Sequence, residues 1–123
     1  MAVVPFRNEP LTDFSRPENR DAFRQALELV QSRFGREYPL VIGGERIMTK
    51  DRIASTNPAN PSEVVGYVAK ADRELADKAM AAAVAAFEEW SHVNPKARAR
   101  ILLKAAAIMR RRKHEFSATM VVE

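Results

Sequence analysis

The sequence predicts an α/β fold that is only partly contained in its 123 residues. Three long stretches carry apolar residues at the three- and four-residue spacing of amphipathic helices, and short β-branched runs lie between the first two. These elements do not alternate often enough to form a complete doubly wound sheet. The apolar pattern of the third stretch also continues to the last residue without a C-cap signal. We therefore expect a piece of a larger protein, with a small self-contained α+β domain as the alternative.

The composition restricts the chemistry that the chain can perform. Hydrophobic residues make up 46% of the sequence and charged residues 29%, which is typical of a globular protein. The absence of cysteine excludes disulfides, thiolate metal sites and a cysteine nucleophile within these residues. His92 and His114 are too far apart in sequence to suggest a metal site. Neither a membrane-spanning run nor a secretory signal is recognised, so we expect no membrane partner and a cytoplasmic location.

The first predicted unit covers residues 1–37 and consists of an arm followed by an amphipathic helix. Two prolines and few periodic apolar residues make residues 1–14 an extended arm. A capping box is expected next, in which Ser15 accepts a backbone N–H while Glu18 reaches back. The helix should run for about five turns and end near Gly35, where a left-handed C-cap suits glycine.

The second predicted unit covers residues 38–123 and begins with short strands. Gly43-Gly44 can adopt the positive φ angles of a two-residue hairpin turn. Asn57-Pro58 and Asn60-Pro61 interrupt the following path, because a residue before proline is disfavoured in the α region. Four strands are predicted before the second helix: residues 40–42, 45–48, 52–56 and 64–69.

Two further long helices are predicted after the strands. Asp72 is a suitable N-cap for an alanine-rich helix that ends near Trp90, and Asn94-Pro95 begins the next. If the chain is part of a larger protein, the apolar stripes of these helices should face parts that are absent here. Six side chains are therefore expected to remain at least partly exposed: Leu75, Phe87, Trp90, Ile101, Ile108 and Phe116.

No group of residues in the sequence forms a recognisable catalytic site. The four glycines match neither a dinucleotide fingerprint nor a P-loop, and no spacing links serine, histidine and aspartate into a triad. We therefore assign no catalytic and no cofactor-binding residue. A basic run raises the alternative of a stand-alone helical interaction or nucleic-acid-binding module, although no nucleic-acid motif accompanies it. The run consists of Arg110, Arg111, Arg112 and Lys113.

An ordered set of motifs from residue 38 onward resembles the beginning of an aldehyde dehydrogenase superfamily protein. The set comprises Ile42-Gly43-Gly44-Glu45, the run from Asn57-Pro58 to Val65-Gly66, and a helix with spaced alanines that ends Phe87-x-x-Trp90. The stretches Asn19-Arg20-x-Ala22-Phe23 and Gly35 to Leu40 are similar to the 1-pyrroline-5-carboxylate dehydrogenase branch.

The resemblance implies an enzyme that oxidises L-glutamate γ-semialdehyde to L-glutamate with NAD or NADP in proline breakdown. In this family a cysteine attacks the aldehyde and a glutamate activates water, and both lie beyond the segment that matches here. The chain would be the incomplete start of the cofactor-binding domain, bind no cofactor by itself and be inactive alone. Its expected partners are the remainder of the same enzyme, further subunits in a homo-oligomer of two or more, and a small aldehyde substrate, with no nucleic acid.

The resemblance also implies one site within the chain. Family members often hold a structural monovalent cation through backbone carbonyl groups just before the Asn-Pro pair and near the end of the second long helix. By position these residues are Ser55, Thr56 and Glu123. An ordinary turn at the same place is the alternative, because carbonyl ligation leaves no pattern in the side chains.

Overall fold

The structure, a computed structural model, describes residues 5–123 and combines helices with short strands in that range. The helices are α1 (Pro17–Gln31), α2 (Arg73–Trp90), α3 (Pro95–Arg111) and α4 (Lys113–Val122). The strands are β1 (Arg36–Tyr38), β2 (Leu40–Ile42), β3 (Glu45–Ile47), β4 (Arg52–Asn57) and β5 (Asn60–Ala69). Residues 5–13 of the predicted arm contain no helix or strand, and residues 1–4 lie outside the described range.

The strands form a three-stranded and a two-stranded sheet. The larger sheet has the order β1-β5-β4, with β1 parallel and β4 antiparallel to the central strand. Strand β5 begins earlier than the sequence predicts, because Asn57 pairs with Asn60 across a tight turn. The side chain of Asn57 stabilises this turn by accepting the backbone N–H of Ala59 at 2.9 Å. Strand β1 was not predicted from the sequence.

The two-stranded sheet is the predicted Gly-Gly hairpin. Strands β2 and β3 pair antiparallel, with Ile42 opposite Glu45. Gly43 and Gly44 have φ angles of 58° and 86°, in the left-handed region that two-residue hairpin turns require. This prediction is confirmed, and the reason is local: glycine alone adopts such angles without steric cost.

The predicted capping box at the start of α1 is wrong. The N-cap is Arg16, and its side chain makes no capping hydrogen bond. Ser15 instead donates its hydroxyl to Asp13 at 2.6 Å, while Glu18 accepts from Arg16 Nε at 2.7 Å. Because the helix begins at Pro17, one residue later than the box requires, Glu18 stands too early to close it.

Helix α1 ends earlier than predicted, but Gly35 still adopts the predicted left-handed conformation. The helix has 15 residues, about four turns, and Ser32 is its C-cap. A further turn separates Ser32 from Gly35, which has a φ angle of 73°. The backbone N–H of Gly35 then donates to the carbonyl of Val64 at 3.0 Å, which connects this turn to β5.

The N-caps of α2 and α3 are the residues that the sequence predicts. Asp72 accepts the N–H of Leu75 at 2.9 Å, and Asn94 accepts that of Lys96 at 2.9 Å. The predicted third helix is divided, however, into α3 and α4. Its break lies at Arg112, where φ is −103° and ψ is 20°, so the described chain has four helices instead of three.

The core of the described chain lies between α1 and α4. Ala26 and Val30 of α1 are buried against Ala118 and Val122 of α4. In contrast, α2 and α3 contain no buried residue. The expected exposure of the six apolar side chains is confirmed, since none is buried; those more than two-fifths exposed are Phe87, Trp90, Ile101 and Phe116.

Candidate functional site

The fold brings together two of the residues that the sequence analysis placed in a cation site. Ser55 lies in β4 and Glu123 directly follows α4, 68 positions later in the sequence. The hydroxyl of Ser55 donates to Oε1 of Glu123 at 3.2 Å. Ser55 is half-buried, whereas Thr56 and Glu123 are exposed. The end of α4 and the middle of β4 therefore meet at this point.

Strand β4 is irregular at the same place. Its pairing with β5 shifts register between Ser55 and Thr56 and again between Thr56 and Asn57. Such a bulge takes backbone groups out of the regular hydrogen-bond ladder. Carbonyl and carboxylate oxygens are the donors that hard cations prefer. The structure therefore places the Glu123 carboxylate beside an irregular stretch of β4, and we propose a cation site there below.

An ion-pair cluster at the start of α4 holds this helix against α1. The carboxylate of Glu115 accepts two hydrogen bonds from Arg112, at 2.8 Å from Nε and 2.6 Å from Nη2. It also accepts a hydrogen bond from Arg33, which follows α1 in the sequence. The side chain of Glu115 is 16% exposed. We call Arg33, Arg112 and Glu115 the arginine–glutamate cluster.

The arginines of this cluster change the acidity of the carboxyl group. Hydrogen bonds from Arg112, and next those from Arg33, lower the pKa of Glu115 from its usual 4.5 to about 2. Glu115 is therefore ionised at neutral pH. Arg112 also lies over the ring of Phe116, with its guanidinium carbon 5.4 Å from the ring centroid. The side chain of Arg112 is thus fixed by two contacts at the start of α4.

The cluster and the core use one face of α4. Ala118 and Val122 follow Glu115 by three and seven positions, the spacing of residues on one helix face. Ala118 is fully buried and Val122 is 5% exposed. Glu115 therefore binds Arg33 on the side of α4 that packs against α1. Sequence analysis did not single out Arg33 or Glu115. The three-residue spacing of Arg112 and Glu115 could have indicated their ion pair. No local pattern in the sequence indicates that Arg33 joins them.

The basic run at the junction of α3 and α4 is largely paired with carboxylates. Arg110 and Lys113 both contact Glu9 of the arm, at 3.2 Å and 3.7 Å. Arg112 is held by Glu115, as described above. This pairing reduces the positive field that nucleic-acid binding would need. The structure gives no support to the alternative of a nucleic-acid-binding module.

Other types of site were not found within residues 5–123. No group of three or more histidine, aspartate or glutamate side chains there could hold a metal ion. In the same range, no helix combines the length and apolar character needed to cross a membrane. A shallow depression beside α1 is lined partly by Arg20, whose guanidinium is bound to the carbonyls of Phe14 and Ser15. That arginine ties the arm to α1 rather than facing a ligand.

Comparison with known proteins extends the sequence resemblance. The profile of a family described as "Aldehyde dehydrogenase family" matches residues 47–123. A 1-pyrroline-5-carboxylate dehydrogenase of Geobacillus kaustophilus is 63% identical over 121 residues, covering 98% of this chain and 24% of that protein. The chain therefore spans about a quarter of the length of the relatives that it matches.

Solved structures give the same result for the fold. A 1-pyrroline-5-carboxylate dehydrogenase from Thermus with bound NAD is 53% identical, with a TM-score of 0.94 over 99% of this chain and 24% of that one. The Δ-pyrroline-5-carboxylate dehydrogenase of Mycobacterium tuberculosis is 27% identical, with a TM-score of 0.85 over 99% of this chain and 23% of that one. Each superposition includes α1 and β1, which precede the region matched by the family profile.

Proposed function

This chain belongs to the aldehyde dehydrogenase family, and we propose that it is the amino-terminal segment of an enzyme that oxidises L-glutamate γ-semialdehyde to L-glutamate. The predicted fold class, part of an aldehyde dehydrogenase-like α/β fold, is confirmed. The observation that carries the proposal is the extent of the identity. It covers almost the whole chain, including the arm and α1, in relatives named for 1-pyrroline-5-carboxylate.

The role we propose for this segment is structural. Residues 38–123 would form the start of the cofactor-binding domain, while residues 1–37 supply an arm and α1. The exposed apolar faces of α2 and α3 support this role, because a larger protein would cover them. We assign no catalytic or cofactor-binding residue to the segment. NAD is the preferred cofactor of the complete enzyme, and NADP is the alternative; either would accept a hydride from the substrate.

We further propose the partners, the location and the overall reaction of the complete enzyme. Its partners would be the small aldehyde substrate and additional copies of itself in a homo-oligomer, and its location the cytoplasm. The overall reaction consumes the aldehyde, water and NAD⁺ and releases the carboxylate, NADH and two protons. This segment would contribute to that reaction only by supporting the domain that binds the nucleotide.

The experiment that tests the main proposal uses the full-length enzyme that carries this segment. Initial rates of NADH formation are measured with L-glutamate γ-semialdehyde and with a simple aldehyde of similar length that lacks the amino-acid group. We expect the first substrate to give much the higher kcat/KM, and NAD⁺ to give higher rates than NADP⁺. Equal or higher kcat/KM for the simple aldehyde would contradict the proposed substrate.

A second proposal concerns the candidate cation site. We propose that the backbone carbonyls of Ser55, Thr56 and Glu123 hold a structural monovalent cation. The bulge in β4 and the contact of Ser55 with Glu123 support this assignment. The melting temperature of the full-length enzyme is measured in NaCl or KCl, with choline chloride keeping the ionic strength constant. A saturable rise with Na⁺ or K⁺ is expected, and equal melting temperatures in all three salts would contradict the site.

A further inference from the structure

Helix α4 is connected to the rest of the described chain at both of its ends. At its beginning, Glu115 binds Arg33, which follows α1. At its end, Glu123 accepts a hydrogen bond from Ser55 of β4. The two glutamates are eight residues apart, which corresponds to about 12 Å along a helix. A shift of the helix at one end would therefore be transmitted to the other.

We propose that Glu115 and Arg33 are positioning residues for the candidate cation site. They fix the axial position of α4 against α1, and this position holds Glu123, whose carboxylate accepts from Ser55, beside the irregular stretch of β4. The inference rests on the cation site proposed above. It adds that the part of the chain before residue 47, which the family profile does not match, determines how well that site forms.

The apolar contact between the two helices would fix the position of α4 less strictly than the ion pair does. On α4 its buried part is made by Ala118 and Val122, which are small side chains without directional bonds. The ring of His114 adds an edge contact with Phe23 of α1, at 6.2 Å between ring centroids. A charge-assisted hydrogen bond from a guanidinium has defined geometry and is among the stronger polar contacts in proteins. Glu115 is also mostly shielded from water, which weakens screening of its charge. Arg33 thus supplies the specific registration that the alanine and valine contact lacks.

Arg112 provides a matched control within the same cluster. It makes two hydrogen bonds to Glu115, but it lies only three residues away at the start of α4 itself. Replacing Arg112 therefore removes charge from the cluster without removing the link to α1. A second control is Glu45, which pairs with Lys78 at 2.8 Å and joins β3 to α2. Neither control residue forms a direct link between α1 and α4.

The test compares four variants of the full-length enzyme: Glu115→Gln, Arg33→Gln, Arg112→Gln and Glu45→Gln. For each, the melting temperature is measured as a function of NaCl or KCl at constant ionic strength, and the half-saturating cation concentration is determined. We expect Glu115→Gln and Arg33→Gln to raise that concentration by about threefold or more, below the roughly 10- to 100-fold loss typical of a direct outer-shell partner. The two controls should leave it within experimental error.

A purely structural role gives a different result. In that case Glu115→Gln and Arg33→Gln would lower the melting temperature equally at every cation concentration, which would overturn the inference. If Glu115→Gln does not fold, the more exposed Arg33 supplies the decisive variant. The conservative change Arg33→Lys should recover part of the cation affinity. If the melting temperature of the wild-type enzyme does not depend on Na⁺ or K⁺, the cation site is contradicted and so is this inference. If Glu115→Gln and Arg33→Gln respond to the cation as the wild type does, only the inference is contradicted.

Discussion

The aromatic ring of Tyr38 in β1 occupies the space that a side chain at Gly66 of β5 would need. A Cβ atom at Gly66 would be 2.9 Å from Cε2 of Tyr38 and 3.3 Å from the carbonyl oxygen of Arg36. Gly66 is not among the glycines with positive φ angles, so its requirement is for space and not for conformation. The absent side chain leaves room for the Tyr38 ring and for the carbonyl of Arg36, the residue that pairs with Gly66.

Gly66→Ala is expected to destabilise the segment by about 1–3 kcal/mol, since it forces an extra methyl group into an occupied space. The lower end of this range is expected because Tyr38 is 45% exposed and its ring has room to move. The measurement is the free energy of unfolding in denaturant, or the melting temperature, of the enzyme that carries the segment. The same change made together with Tyr38→Ala should cost less. Equal costs in both backgrounds would show that the ring is not the obstacle.

The stabilising effect of Glu115 is expected to depend on pH. Its pKa is lowered to about 2 in the folded chain and is near 4.5 when unperturbed, with Arg112 as the first cause. A carboxyl group with a lowered folded-state pKa stabilises the fold above its unfolded pKa and loses that effect as the pH falls. The contribution of Glu115 should therefore be complete at neutral pH and decline from about pH 4.5 toward pH 2.

The comparison of wild type with Glu115→Gln isolates this contribution. The variant should melt at a lower temperature than wild type at pH 7, and the difference should shrink as the pH is lowered below about 5. Glu45→Gln serves as the control for an exposed ion pair between other elements. A difference between wild type and Glu115→Gln that stays constant from pH 7 to pH 4 and below would contradict the assigned pKa.

The features that the sequence predicted correctly depend on neighbouring residues. The cap at Asp72 involves only the N–H three positions later, and the cap at Asn94 only the N–H two positions later. The hairpin at Gly43-Gly44 needs only the backbone freedom of two glycines. Such local rules can be read from the sequence because no distant partner takes part in them.

The features that the sequence did not predict depend on distant contacts or on competing local contacts. Strand β1 is three residues long and exists through parallel pairing with β5, which no local pattern indicates. Ser15 donates its hydroxyl to the nearby Asp13, and α1 begins at Pro17, one residue later than a capping box at Ser15 requires. The candidate cation residues were named from the family resemblance. Their proximity became visible only in the fold, because Ser55 and Glu123 are 68 positions apart.

Asp72→Ala is expected to cost about 1 kcal/mol by removing the N-cap of α2. The carboxylate of Asp72 accepts the N–H of Leu75, which would otherwise lack a partner in the helix. Amide hydrogen exchange of the enzyme should therefore become faster in the first turn of α2. Asp72→Asn should behave like wild type, because asparagine caps equally well. Glu88→Ala, exposed and far from the first turn of the same helix, is the control; faster exchange in the first turn of that variant too would show that the cap is not the cause.

The 123-residue chain assayed by itself is expected to produce no NADH from L-glutamate γ-semialdehyde and NAD⁺. The family resemblance assigns the attack on the aldehyde carbonyl to a cysteine thiol, and this chain contains no cysteine. The full-length enzyme, measured at the same protein concentration, is the positive control. Turnover by the chain alone above the blank without enzyme would mean that another group attacks the aldehyde. It would also contradict the structural role proposed for this segment, since a catalytic site would then have to lie within these residues.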